Sequence, residues 1–138
     1  MKIIRPFTRA ADRLNEAGLR PTRQRLALAR FLFGDGNRHI TAEQLHKEAS
    51  GAGIKVSLAT VYNSLNQFTA AGMLREVVVD AGRSYFDTNT TEHHHFFNDD
   101  TGELKDIPGD SVVLSTLPLA PVDTVIDGVD VIVRLRDL

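Results

Sequence analysis

The sequence holds no cysteine and no tryptophan. Without thiols there is no disulfide framework and no thiolate metal site, so any bound metal must rest on imidazole and carboxylate. No run approaches the roughly 18 apolar residues that a membrane-spanning helix needs. The opening stretch MKIIRPFTRAADR has no sustained apolar region of the kind a secretory signal requires, and the expectation is a cytoplasmic protein without membrane association. A GxSxG elbow is missing, as is any serine paired to a base, so nothing assembles into a nucleophilic or general-acid site and an enzyme is not expected. Positive charge is scarce in the second half alone: residues 73–138 hold 5 Lys and Arg against 13 Asp and Glu. Residues 1–72 hold 11 against 5. Such a split points to a polyanion as partner of the first half, and to cations or another subunit for the second.

What is present is organised around Ser57 to Gly72, SLATVYNSLNQFTAAG. Ser57 can cap a helix, and Leu58, Val61, Leu65 and Phe68 recur at spacings of three and four to give one apolar face. Gly72 supplies a left-handed stop. Opposite that face stand Thr60, Tyr62, Asn63 and Asn66, donors and acceptors with no acid among them, as an element entering a DNA major groove must offer. Taken alone, the pattern fits an ordinary amphipathic surface helix equally well. Its surroundings decide.

Ahead of it, Phe7 to Ala17 reads as a helix ended by Gly18, and Thr22 caps a second that runs to Gly34 with Leu26, Ala29, Leu32 and Phe33 as its stripe. Arg20, Arg23, Arg25 and Arg30 lie around that stripe, suited to phosphate or minor-groove contact. A loop at 34–37 precedes Thr41-Ala-Glu-Gln44, a capping box that opens a third helix ending near Gly51. The third and fourth helices match a helix-turn-helix. Beyond Gly72 the period changes to two, and Leu74–Val79 and Arg83–Asp87, joined by Asp80-Ala81-Gly82, form a hairpin with Arg83 at its tip. Helices followed by such a hairpin make a winged helix. Further on, Asp110 to Leu117 reads as a short helical piece and Val129 to Arg136 as an alternating strand needing a second sheet to cover it, most economically a twofold copy of itself.

Four of the five histidines carry chemistry. His93 and His95 alternate along an extended chain, so both leave one face while His94 leaves the other. Asp87 precedes them across a turn, Asp106 follows at hairpin distance, and His39 lies just before the third helix. A mixed nitrogen and carboxylate set of five favours Fe²⁺, Mn²⁺ or Zn²⁺ over oxygen-seeking ions. His94, beside Phe96 and Phe97, is left for another task and could ligate haem iron. His46 reads as plain surface.

The segments GLRPTRQRLALARFL, HITAEQLH, SLATVYNSLNQFTAAGMLREV and the HHH stretch resemble the ferric uptake regulator family, in that family's order and across about residues 18–106. The resemblance implies an α+β chain: a winged helix-turn-helix DNA-binding domain over residues 1–88 and a small α/β dimerisation and sensing domain over 89–138. It implies a homodimer on double-stranded, AT-rich pseudo-palindromic operators, with Tyr62 touching bases, Ser57 and Thr60 near the DNA, and Arg20 entering the minor groove. Thr22, Arg23, Asn63 and Arg83 complete the candidate DNA contacts; Asn63 stands where the family usually has arginine. The regulatory metal site of the family's peroxide-sensing branch matches His39, Asp87, His93, His95 and Asp106. Its thiolate zinc site does not survive, because the first CxxC pair falls at Asn98 and Thr101.

A cysteine-free chain with YFDTN followed by HHHFF is most similar to the iron response regulator branch, which implies His93, His94 and His95 as candidate haem-binding residues. The function expected is therefore an iron- and haem-responsive transcription regulator whose DNA binding is modulated at the His/Asp site. A peroxide-sensing or Mn/Zn-sensing repressor without a haem role is the alternative within the family. A metal- or haem-handling protein that does not bind DNA is the alternative outside it.

Overall fold

The computed structural model describes residues 6–34 and 36–138, with side chains from Arg9 onward. The opening stretch through Arg5, and Asp35 within the expected loop, lie outside the described residues. The chain divides into two compact units, Met1–Thr90 and Thr91–Leu138.

The first unit carries four helices: α1 (Pro6–Glu16), α2 (Arg23–Phe33), α3 (Ala42–Gly51) and α4 (Leu58–Ala70). Their starts follow the expected capping chemistry. Thr22 Oγ1 accepts from the Arg25 amide, and Ser57 Oγ accepts from the Thr60 amide at 3.1 Å. Thr41 and Gln44 form a complete capping box, each side chain accepting from the other's backbone N–H. At the end of α4, Gly72 takes φ +82°, which lets Met73 N–H reach back to the Phe68 carbonyl at 2.9 Å. The equivalent residue after α3 is Gly53 at φ +81°, not Gly51, which is still helical.

Three strands complete the unit: β1 (His39–Ile40), β2 (Arg75–Asp80) and β3 (Arg83–Asp87), in the order β1-β3-β2. The wing hairpin of β2 and β3 is therefore a three-stranded sheet, because β1 pairs antiparallel along the free side of β3. A two-residue strand carries too little pattern to be read from sequence.

The core of this unit joins Leu14, Leu32, Ile40, Leu45, Val61, Leu65, Phe68 and Phe86. Two expectations about its faces change. On α2, Leu28 joins Ala29, Leu32 and Phe33 in the buried stripe while Leu26 is only half-buried. On α4, Leu58 is 37 % exposed, while Ser64 is buried at 6 %. The buried face of α4 starts at Val61, three residues on, and runs through Ser64, Leu65 and Phe68. Apolar periodicity reports helix but not which of its apolar residues packing covers.

The second unit has three strands: β4 (His95–Asn98), β5 (Leu104–Asp106) and β6 (Ile132–Leu135). Their order is β5-β4-β6, antiparallel on one side of β4 and parallel on the other. Only four residues of the expected eight-residue terminal strand are in register. The expected helical piece over 110–117 is not a helix. Pro108-Gly109 before it, Pro118 after it and the β-branched Val112-Val113 within it leave no room for a costly helical nucleus to propagate. Instead this segment and its continuation leave Val113, Leu117, Leu119, Val122 and Val125 exposed.

Truncating Phe68, which is fully buried at the centre of the helical core, is expected to lower the unfolding free energy by about 3–5 kcal/mol. Leu58→Ala, at the exposed first position of the same helix, should cost about 0.5 kcal/mol or less. Urea denaturation followed by circular dichroism compares the two.

Candidate nucleic-acid interface and metal-ligating strands

The helix-turn-helix is α3, the turn at 52–57, and α4. His46 does not lie idle on its surface. Its Nε2 is 2.9 Å from the Val56 carbonyl, so the imidazole on α3 braces the turn that launches α4. Nothing in the local pattern of α3 signals this, since the partner is a backbone group ten residues on.

Along α4, Ser57, Tyr62, Asn63 and Asn66 are exposed and Thr60 is half-buried, while Val61, Leu65 and Phe68 face the core. The polar set therefore stands together on the outer face. The expectation of a face free of acid needs correction, because Glu43 enters it from the first turn of α3. The Tyr62 hydroxyl donates to Glu43 Oε1 at 2.5 Å. That hydrogen bond, with lesser help from partial burial and the nearby negative charge, raises the phenol above its usual 10.0. Tyr62 is thus a neutral donor throughout the physiological range.

The expected arginine contacts are in mixed condition. Arg20 and Arg23 are exposed at the entry to α2. Arg25 is committed within the unit, donating to the Arg20 carbonyl at 2.9 Å and to Gln67 Oε1 on α4 at 3.2 Å. At the wing tip, Arg83 is ion-paired with Asp80, its Nε lying 2.8 Å from Asp80 Oδ2.

The metal-ligating candidates sit on strands in both units. In the first unit, β1 and β3 set His39 directly opposite Asp87. Asp87 is buried at 1 % exposure, and its Oδ1 accepts from the Asn89 amide at 2.9 Å. Beside them, Arg38 and Thr88 continue the pairing: Thr88 N–H donates to the Arg38 carbonyl, and Arg38 N–H donates to Thr88 Oγ1. The Arg38 guanidinium then grips Glu48 on α3 through two nitrogens at 2.8 and 3.0 Å and donates to the Phe31 carbonyl. Arg38, Glu48 and Thr88 thus position His39. Sequence reasoning missed all three, although Thr88 directly follows a candidate ligand.

In the second unit, β4 and β5 set His95 opposite Asp106. His93 Nε2 and His95 Nε2 both lie 3.3 Å from the same atom, Asp106 Oδ1. The two rings are 4.4 Å apart between centroids. His93 Nδ1 is 2.7 Å from the Thr91 carbonyl, a contact that only an N–H can make favourably. The proton of a neutral His93 is therefore on Nδ1, and its Nε2 lone pair points at a carboxylate oxygen. Acceptor against acceptor is repulsive unless positive charge stands between them. A backbone carbonyl on one ring nitrogen leaves the other available to a metal, and a proton on that nitrogen would instead make the contact an ion pair with Asp106. The donor set fits a borderline divalent cation. His94 points elsewhere, as alternation requires. Its Nδ1 accepts from the Val131 amide at 3.1 Å, so it also holds the chain entering β6.

A family model described as the ferric uptake regulator family matches residues 16–116. The ferric uptake regulation protein of Shigella flexneri is 37 % identical over 100 residues, covering 72 % of this chain and 68 % of that one. Among solved structures, the Vibrio cholerae ferric uptake regulator aligns with TM-score 0.71 and 27 % identity over 92 % of this chain and 98 % of that one. The Pseudomonas aeruginosa regulator, solved with manganese, aligns with TM-score 0.70 and 26 % identity over 93 % and 97 %. The chain belongs to the ferric uptake regulator family.

Membership makes the chain a metal-responsive transcription regulator with an α+β fold. Among the described residues, no helix is long and apolar enough to cross a membrane. Asn98 and Thr101, where the family resemblance places a cysteine pair, close the β4–β5 turn by other means. Asn98 Oδ1 accepts from the Asp100 and Thr101 amides at 2.8 and 3.1 Å, and its Nδ2 donates to Asp137 Oδ1 at 2.9 Å. Asp100 Oδ2 in turn accepts from the Asp137 amide at 2.7 Å. The chain end is thereby strapped to the turn. Asn98→Ala removes an acceptor from two amides and should cost about 1 kcal/mol. Hydrogen exchange should show lost protection at Asp100, Thr101 and Asp137, with the amides of α1–α4 unchanged.

Proposed function

We propose that this family member is an iron- and haem-responsive regulator of the iron response regulator branch, acting as a homodimer on AT-rich pseudo-palindromic duplex DNA in the cytoplasm. In this reading residues 1–88 bind DNA and residues 89–138 dimerise and sense. The α4 face supplies Ser57, Thr60, Tyr62 and Asn63 to a major groove, while Arg20, Thr22, Arg23 and Arg83 serve the backbone and the minor groove. The exposed apolar side chains from Val113 to Val125, together with β6 at the edge of its sheet, favour a second copy as their cover.

His39, Asp87, His93, His95 and Asp106 would hold the regulatory ion, Fe²⁺, Mn²⁺ or Zn²⁺. When bound, such an ion would supply the positive charge that imidazole nitrogens and a carboxylate oxygen can share. The observation that carries this reading is the convergence of His93 and His95 on Asp106 Oδ1, with the His93 tautomer fixed by Thr91. Calorimetric titration with Mn²⁺ tests it. Asp106→Ala and His95→Ala should each weaken binding by tenfold or more, roughly the scale on which orientation alone acts at metal sites. Metal-loaded protein should shift an AT-rich palindromic duplex that metal-free protein leaves unbound. Undiminished Mn²⁺ affinity in both variants would refute the site.

Haem is the second effector in this proposal, with His93, His94 and His95 as its residues. The resemblance of the HHHFF stretch supports it, and the structure attaches a condition. A neutral His94 that accepts at Nδ1 carries its proton on Nε2, so iron ligation through Nε2 requires the Val131 hydrogen bond to be given up. Haem capture and the anchoring of the chain before β6 then compete. Absorbance titration with haem should give a weaker complex for His94→Ala, whereas Mn²⁺ affinity should stay near wild type. The engagement of His94 by Val131 also favours the second reading, a peroxide- or Mn/Zn-sensing repressor without haem. Saturating haem that leaves operator affinity unchanged would establish that reading over the first.

A further inference from the structure

Tyr62 has one proton to give, and Glu43 takes it. A phenol is a single donor, and an ionised carboxylate only accepts, so the 2.5 Å bond has one sense: Tyr62 O–H to Glu43 Oε1. With its donor spent, Tyr62 presents outward only an oxygen lone pair and the ring edge. Tyr62 is 38 % exposed and Glu43 is exposed, so both stand at the surface that α4 offers to a groove.

The neighbourhood reinforces the same polarity. Thr41, Glu43 and Tyr62 share a cleft of about 510 Å³ with the wing residues Glu76, Asp80 and Arg83. Three of those are acids, and the Arg83 guanidinium is ion-paired to Asp80. Phosphate oxygens and carbonyl-bearing base edges are acceptors and meet no offered proton at Tyr62. Exocyclic amino groups, adenine N6 and cytosine N4, are donors and do meet acceptors there.

We propose that Glu43 is a specificity-determining positioning residue: it holds the hydroxyl proton of Tyr62 on the protein side, so that the recognition helix reads amino-bearing base edges and rejects acceptor edges and phosphate. This rests on the regulator reading above and adds a residue from α3 to it. Glu43 acts through Tyr62: without the carboxylate, the hydroxyl proton is free to be given to any phosphate or acceptor edge. Removing it therefore weakens discrimination while strengthening indiscriminate binding.

The test selects duplexes from a randomised pool with Mn²⁺-loaded full-length protein. It then compares affinity for the selected duplex with affinity for random duplex. Glu43→Ala should lower that ratio about tenfold, the scale of one lost hydrogen bond to a charged group, through tighter random binding as well as weaker selected binding. Glu43→Gln keeps an oxygen acceptor and should retain the ratio to within about threefold. Tyr62→Phe removes the hydroxyl, and adding Glu43→Ala to it should lower the ratio no further, because the two act as one unit. With tyrosines carbon-labelled at Cζ, the Tyr62 phenol should titrate at lower pH in Glu43→Ala than in wild type.

An unchanged ratio in Glu43→Ala, or additive losses in the double variant, would overturn the proposal while leaving a selective wild-type protein as a regulator. A wild-type protein that selects no duplex would overturn both.

Discussion

In each unit a histidine faces an aspartate across an antiparallel strand pair, His39 with Asp87 and His95 with Asp106. Directly opposed residues in such a pair hold their β-carbons about 5 Å apart, close enough for imidazole and carboxylate to serve one ion. Because the side-chain period is two, a slip of one residue would send either partner to the wrong face. The register of two very short ladders is thus what sets each histidine against its aspartate, and each is pinned from outside. Arg38 locks β1 through Thr88, Glu48 and the Phe31 carbonyl. In the second unit the Ile107 amide donates to the His94 carbonyl at 2.9 Å, extending the β4–β5 ladder one step beyond Asp106.

How far the sequence disclosed this depended on the range of the signal. Helix starts were legible because Thr22, Thr41 and Ser57 act on amides three residues away. The wing was legible from its period and the Asp80-Ala81-Gly82 turn. The pairing of His95 with Asp106 followed from the short turn between them, whereas β1 was invisible, since its partner lies 48 residues on. Long-range polar partners were lost for the same reason: Arg38 with Thr88, His46 with Val56, Tyr62 with Glu43. Composition misled only where packing decides, as at Leu58, apolar by pattern and exposed by position. Over 110–117 the breakers Pro108 and Gly109 were read correctly, but the segment after them was credited with a helix it cannot nucleate.

The strap at Asn98 shows how a small unit without thiols closes its chain. One side-chain oxygen satisfies two turn amides, the side-chain nitrogen reaches Asp137, and the Asp99 amide donates to the Leu135 carbonyl at 2.9 Å. Each bond contributes about 1 kcal/mol at most in an exposed setting, far less than a tetrahedral thiolate ion supplies. A closure built this way does not depend on metal or on redox state. It uses none of the candidate His/Asp ligands, so the closing of the turn and the histidine–aspartate pairs rest on different side chains.

A similar division runs through the first unit. The cations that suit phosphate stand on and before α2, with Arg20 and Arg23 exposed, whereas the face of α4 offers neutral groups and borrows an acid from α3. Phosphate attraction is long-ranged and indifferent to sequence, while base-edge contacts are short and selective. Placing the two on different helices lets affinity and discrimination be set separately, provided the helices hold a fixed relation. Arg25 supplies that relation: it leaves the phosphate-facing set to bridge the Arg20 carbonyl and Gln67 on α4. Arg25 thereby fixes the entry of α2 against the helix that carries Tyr62.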